Sequence, residues 1–282
     1  MKLTIYGCRA AIPFSSKAHI RYGGNTSCVG VTSKGQTLIL DAGSGLTRLD
    51  YDLRAERIRL NEIHLLLGHL HLDHIIGLTM FRPVWLRNGG VHIYTKNRGG
   101  VGRFGPLSMA EQVFGAFVPP YWPVDMTKAA QARMHEIEEE KPFEIGVFHI
   151  TPFKINHPDE ATAFRISDGE KVLVYLTDHE TGNKLPDPDI VRRCANADAV
   201  FFDSAYAPAD YEMYRGRGHS TWADGLALAQ ACDCKKMIFG HISLDYTDTR
   251  MDALANKAGK TAIEAGLSER YVFARDGLTL DI

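Results

Sequence analysis

No apolar stretch in this chain comes near the ~20 consecutive residues that a helix needs to cross a bilayer, so a membrane-spanning role is not expected. Cysteine is sparse and odd in number, five residues without the spacing of a disulfide framework. Free thiols of this kind suit a reducing compartment. Met1 to Arg9 reads as a short strand, without the extended apolar region or small-residue cleavage site of an export signal. A cytoplasmic location is therefore expected. Cys232 and Cys234 have no second pair to complete a metal site, which makes them structural thiols. Excess positive charge is also missing. The formal net charge of −2 argues against a broad nucleic-acid surface, which depends on Lys and Arg displacing counterions. Arg82, Arg87, Lys96, Arg98 and Arg103 fall in a Gly-rich stretch that reads as a solvated loop. No repeat or low-complexity tract stands out.

What the chain does have is a concentration of histidine. Gly68-His69-Leu70-His71-Leu72-Asp73-His74 places three imidazoles and a carboxylate within six consecutive positions, directly after the apolar run Ile63 to Leu67. In an ordinary core these groups would go unsatisfied, whereas a divalent cation takes neutral imidazole nitrogen and carboxylate oxygen as ligands. The run before them reads as a buried strand, Gly68 lets the chain turn, and Ile75, Ile76, Leu78 and Met80 begin a new apolar segment. His69 and His71, two apart, can project together, and Asp73 and His74 follow the bend. One loop can thus serve two neighbouring cations.

The motif resembles the H-x-H-x-D-H signature of the metallo-β-lactamase superfamily. Further along, His157 follows the run Phe148 to Ile155, Asp178 closes Val172 to Thr177, and His241 closes Met237 to Gly240. The resemblance implies a third His, a bridging carboxylate and a final His at these positions. His69, His71 and His157 would form one site, Asp73, His74 and His241 the other, and Asp178 would bridge them. Two divalent ions are implied, with zinc expected and manganese or iron as alternatives. The implied fold is α/β, an αββα sandwich of two mixed sheets flanked by helices.

Tyr22 to Val29, followed by Leu38 to Gly45, is similar to the opening hairpin of the branch holding ribonuclease Z and the phosphoribosyl cyclic phosphodiesterases, and Gly218-His219-Ser220-Thr221 looks like that branch's H-S-T element. Thr221 and Asp224 match a capping box, and Trp222, Leu226 and Ala229 recur at helical spacing, so a helix is expected to start just after His219. Amide donors at such a start suit a phosphate, and an adjacent His can protonate a leaving oxygen. Ser220 and Thr221 are therefore expected to contact substrate, with Arg215 and Arg217 as neighbouring cations. His219 is the expected proton donor, Asp73 the group orienting the attacking water, and Asp41 an acceptor behind a ligand His. His64, His92, His149 and His179 read as packed or surface histidines.

At 282 residues with 45% hydrophobic content, the chain can bury a large core. A single domain over 1–282 is expected, because the ligand positions run from His69 to His241. A lid-like insertion is expected at about 82–145, where Phe114 to Pro123 mixes aromatics with prolines, and Ala129 to Lys141 has helix-forming composition with His135 exposed. Only about twenty residues separate His157 from Asp178, leaving no room for the projecting tRNA-gripping arm of long-form ribonuclease Z. The expected activity is hydrolysis of a small, cyclic or open phosphodiester. The partner is then that small anion, not extended nucleic acid or membrane, and a homodimer is compatible. A ribonuclease Z-type nuclease and a glyoxalase II-like thioester hydrolase are the alternatives. An iron redox enzyme would need a second electron-transfer domain for which the chain has no room.

Overall fold

The computed structural model describes residues 1–58, 60, 62–102, 105–182 and 186–282. Arg103, one of the cations of the Gly-rich stretch, lies outside the described residues. Two seven-stranded sheets face each other. The first runs Thr279–Asp281, Lys2–Gly7, Cys28–Ser33, Gln36–Leu40, Ile63–Leu66, Val91–Lys96 and Arg133–Ile137 in spatial order. The second runs Tyr271–Phe273, Met237–Gly240, Ala199–Asp203, Val172–Leu176, Ala161–Ser167, Phe148–Ile155 and Phe143–Ile145. Each sheet is mixed, with its last four strands in the first case and its first four in the second running parallel. Parallel strands all finish at one edge, so their following loops collect there.

The sandwich follows from period-two burial. In Gln36–Leu40, Leu38 and Leu40 point into the core between the sheets, beside Phe164, Tyr175 and Phe201, while Ile39 points outward. Outward side chains need a second cover. On the first sheet it is the helix Leu46–Arg54, through Leu46 and Leu49. On the second it is Pro188–Cys194, Trp222–Cys232 and Asp248–Glu264, which bury Ile190, Leu226 and Met251 against Phe202 and Phe239. Burial of each such side chain contributes roughly 1.5–3 kcal/mol. The result is the αββα order. All five cysteines are buried and free, and among the described residues no helix is long and apolar enough to cross a membrane.

Two local expectations need revision. Residues 129–141 are not helical throughout. Met126–Ala129 is a single helical turn, and Arg133–Ile137 is a strand paired in parallel with Val91–Lys96. Pairing and burial of Met134 and Ile137 on opposite faces outweigh local helix propensity. His135 is not simply exposed; its ring stacks on Tyr94 at 4.4 Å. The 82–145 segment thus contributes three strands to the two large sheets, Val91–Lys96, Arg133–Ile137 and Phe143–Ile145, and its Phe114, Phe117 and Met126 are buried in the same core as Leu65 and Ile93.

Candidate metal centre and active site

The seven predicted ligand positions meet at the edge where the parallel strands end. Asp41 and His241 directly follow a strand and Asp178 follows one after a single residue, Thr177; Asp41, Asp178 and His241 each adopt the left-handed backbone region, with φ of 59°, 56° and 56°. Asp and His tolerate that region better than most side chains. Three such residues at one edge are local strain concentrated at a site, which the surrounding packing must over-determine. The turns they make aim their side chains across the sheet edge.

Donor atoms of His69, His71 and His157 lie within 4.8 Å of one another, as do those of Asp73, His74 and His241 and those of His69, His74 and Asp178. Asp178 stands between the groups. Its Oδ1 is 3.7 Å from His69 Nε2 and 3.4 Å from His241 Nε2, and its Oδ2 is 3.3 Å from His74 Nε2. His71 is the exposed member, 3.0 Å from Asp159 Oδ2. The donor set fits divalent cations. Both ring nitrogens of His69 and Nε2 of His74 are buried without a hydrogen-bond partner, a state that costs ~1–3 kcal/mol per group unless something binds there. Asp41, Asp73, Asp178 and Asp203 are also buried in this region, and buried carboxylates need compensating positive charge.

Charge within the protein offsets part of this. Burial pushes the His241 imidazole down, but Asp178, Asp203 and Asp73 around it outweigh that and raise its pKa to about 10. His74 is likewise raised against its burial by Asp178, Asp73 and Asp41. His69, more remote from these acids and beside His74, is held well below the usual imidazole range, chiefly by burial.

A layer of groups behind the ligands sets their orientation. Asp41 Oδ2 is 2.7 Å from His74 Nδ1 and accepts the Tyr175 hydroxyl at 2.9 Å, while Oδ1 accepts the Gly68 amide at 3.0 Å. Asp203, absent from the sequence reading, does the same on the other side. Its Oδ2 lies 2.9 Å from His219 Nδ1 and 3.2 Å from His241 Nδ1 and accepts the Asp178 amide. Its Oδ1 accepts the Ala205 and Ser220 amides. Burial raises the Asp203 carboxyl, but His219 and His241 prevail and hold it at about 2. A signal for it existed: Ala199-Val-Phe-Phe-Asp203 is an apolar run closed by Asp, the pattern that marks Asp41 and Asp178.

His219 lines a cavity of about 480 Å³ together with His71, Asp73, Asp178, His241 and Tyr206. It is set there by its neighbours. Glu180 accepts the Gly216 and Gly218 amides at 2.7 and 2.9 Å and the Tyr211 hydroxyl at 2.7 Å, pinning the loop that carries His219. Gly218 has φ +88°, and a Cβ there would sit 2.2 Å from His157 Cδ2, so this position needs glycine for both conformation and contact. Arg98 joins the ligand loops, donating to the Gly68 carbonyl at 2.8 Å and to the Asp159 and Glu160 carbonyls. It is not a solvated cation.

The substrate-contact expectation for Ser220 and Thr221 is overturned. Both are buried. The Ser220 hydroxyl donates to the His179 carbonyl and accepts the Thr181 amide, and its own amide goes to Asp203. Thr221 caps the Trp222–Cys232 helix in a reciprocal box with Asp224, so these donors are already spent. Arg215 pairs with Glu212 and lies over the Tyr211 ring, while Arg217 lies over Tyr214; neither lines the cavity. His179 is buried, with Nδ1 accepting the Asn156 amide.

Comparison with known proteins agrees with this geometry. Ribonuclease Z of Bacteroides thetaiotaomicron is 22% identical over 319 residues, covering 100% of this chain and 95% of its own. Among solved structures, the metallo-β-lactamase fold protein YhfI of Bacillus subtilis superposes with a TM-score of 0.70 at 20% identity, covering 99% and 98% of the two chains. A diphosphatase of the PhnP family gives 0.67 at 21%, covering 100% and 97%. The profile of the beta-lactamase superfamily domain matches residues 36–242. With the fold, the His and Asp clusters and this match in agreement, the chain belongs to the β-lactamase superfamily and is a metal-dependent hydrolase.

Proposed function

We propose that this protein is a binuclear phosphodiesterase acting on a small phosphodiester, with residues 1–282 working as one hydrolase domain. The observation that carries the reading is the pairing of two donor clusters around Asp178 with His219, held by Asp203, on the wall of the same cavity. His69, His71 and His157 would hold one cation, Asp73, His74 and His241 the other, and Asp178 both. Two divalent ions bring four positive charges to four buried carboxylates, and a His and Asp donor set suits zinc first, then manganese or iron.

Such ions would supply Lewis acidity to phosphoryl oxygens and lower the pKa of an attacking water. The protein's own groups do the rest. Asp73 Oδ2, fixed by the Ala11 amide at 2.9 Å and by His241 at 3.2 Å, orients the attacking water. His219 keeps Nδ1 on Asp203, so its Nε2 is free to deliver a proton to the departing alkoxide. A thiolate leaves without such help, which favours a phosphodiester over a thioester. The relatives named ribonuclease Z and PhnP-family diphosphatase also point to phosphoester chemistry. The test is turnover of the metal-loaded protein on bis(p-nitrophenyl) phosphate, 2′,3′- and 3′,5′-cyclic nucleotides, a tRNA precursor and a thioester. Fastest turnover on a small phosphodiester is expected. A faster tRNA cut would make it a nuclease, and a faster thioester reaction would overturn the proposal.

A further inference from the structure

Next to the metal cavity lies a second one of about 170 Å³ that shares Tyr206, Ser243 and Asp245 with it as walls. Tyr206 links the two in space. Its ring meets His219 edge-on at 5.8 Å and stacks flat on Tyr214 at 4.2 Å. An ester group that receives its proton from His219 therefore has Tyr206 as its next neighbour and the smaller cavity behind it. The size is informative. A cavity of ~150 Å³ holds one benzene, so this one accommodates a single five- or six-membered ring, too little for a base and a sugar together.

The lining decides the chemistry of that ring. Tyr214 carries Tyr206 at 4.2 Å and Arg217 at 5.4 Å, and Tyr246 carries Arg250 at 4.7 Å. Ring faces in use in this way do not form a cage for a cationic ligand. Arg250, the cation in the lining, is committed to Asp210, which also accepts the Tyr246 hydroxyl. Asp245 has no Lys or Arg partner among the described residues, and its carboxylate meets only the Ser243 hydroxyl, at 3.4 Å. The Tyr206 and Tyr214 hydroxyls make no hydrogen bond within the described residues. What remains is a small open chamber walled by tyrosine rings and Met213, with hydroxyls and the solvent-exposed Asp245 carboxylate at its wall and no unpaired cation among its lining residues. It can bond the hydroxyls of a neutral ring, and it repels a second phosphate.

We propose that this chamber is the leaving-group subsite and that it takes a neutral, hydroxylated single ring, a sugar without a further phosphate, with Asp245 setting that preference. The inference rests on the phosphodiesterase reading for its catalytic meaning, but its binding content stands apart. Two measurements test it. In the first, kcat/KM of the metal-loaded enzyme is compared for ribose 2,3-cyclic phosphate, the same compound bearing a 5-phosphate, and uridine 2′,3′-cyclic phosphate. The unphosphorylated single ring is expected to be preferred at least tenfold over both, with the preference against the 5-phosphate shrinking several-fold in Asp245→Asn. Equal or faster turnover of the phosphorylated ring, or an unchanged preference in Asp245→Asn, would overturn the subsite. In the second, saturation-transfer NMR with methyl riboside follows binding without turnover, expected for the wild type and weakened in Asp245→Asn and Tyr206→Phe. If neither these esters nor bis(p-nitrophenyl) phosphate turns over while methyl riboside binds, the phosphodiesterase reading fails and the subsite survives. If the riboside does not bind, the subsite is wrong whatever the activity.

Discussion

One carboxylate oxygen of Asp203 lies 2.9 Å from Nδ1 of His219, and the same oxygen is 3.2 Å from Nδ1 of His241. A single buried acid thus orients both a proposed metal ligand and the proposed proton donor. Asn at this position would keep the size but carry no charge to steady either imidazole. Asp203→Asn is expected to lower kcat and metal affinity each by roughly 10–100-fold. Kinetics and metal titration check this, and values within twofold of wild type would remove Asp203 from the role.

His219→Ala is expected to lower kcat with little loss of bound metal. The deficit should shrink for esters with a good leaving group such as p-nitrophenolate, because a weakly basic oxygen needs no proton donor. Loss of one metal equivalent in this variant would instead make His219 a ligand, a role its proximity to Asp178, Asp203 and His241 allows.

Asp73 both faces His74 and His241 and accepts the Ala11 amide. Asp73→Ala should therefore bind about one cation fewer and lose nearly all turnover, with circular dichroism unchanged because the sandwich core does not depend on it. Metal analysis of wild type and variant provides the check. A wild type that saturates at one equivalent would rule out the binuclear assignment.

Arg98 holds the His69 loop to the His157 loop through three carbonyls. Arg98→Met retains much of the packing but no donors, and is expected to weaken the first-bound or second-bound cation by about tenfold, comparable with the loss of other groups that orient ligands. Isothermal titration with zinc reads this directly; unchanged affinities for both cations would return Arg98 to the status of a surface residue.

Away from the site, Asp198 joins Lys235 at 2.8 Å, Lys171 at 3.1 Å and the Val172 amide at 2.9 Å. Burial raises this carboxyl, but these partners prevail and hold it at about 2, below the ordinary 3.8. The folded state therefore gains from Asp198 above the unfolded value, and loses that gain as pH falls through the folded one. Asp198→Asn is expected to cost about 1–2 kcal/mol at pH 7, the gap to wild type closing between about pH 4 and pH 2. Urea unfolding across that range tests the sign; a gap that widens in acid contradicts it.

Much of the site could be read from the chain because ligands at strand ends leave a local mark, an apolar run closed by His or Asp. His69, His157, Asp178 and His241 all carry it, whereas the sandwich expected around them was implied by the family resemblance of their motif. The capping box at Thr221 was equally legible, being a contact between residues three apart. Its consequence was not. Whether the helix start is open to a phosphate depends on Asp203 and the 179–181 backbone, and these meet Ser220 only in the folded protein. Strand Arg133–Ile137 likewise owes its conformation to Val91–Lys96 beside it, against its own helix-forming composition. Composition and spacing thus determined which chemistry the chain can carry, since donor type and strand periodicity are local properties. Which donors remain free, which arginine clamps two loops and what ring the neighbouring chamber can hold were decided by tertiary contact alone, because they depend on distances between residues 30 to 90 positions apart.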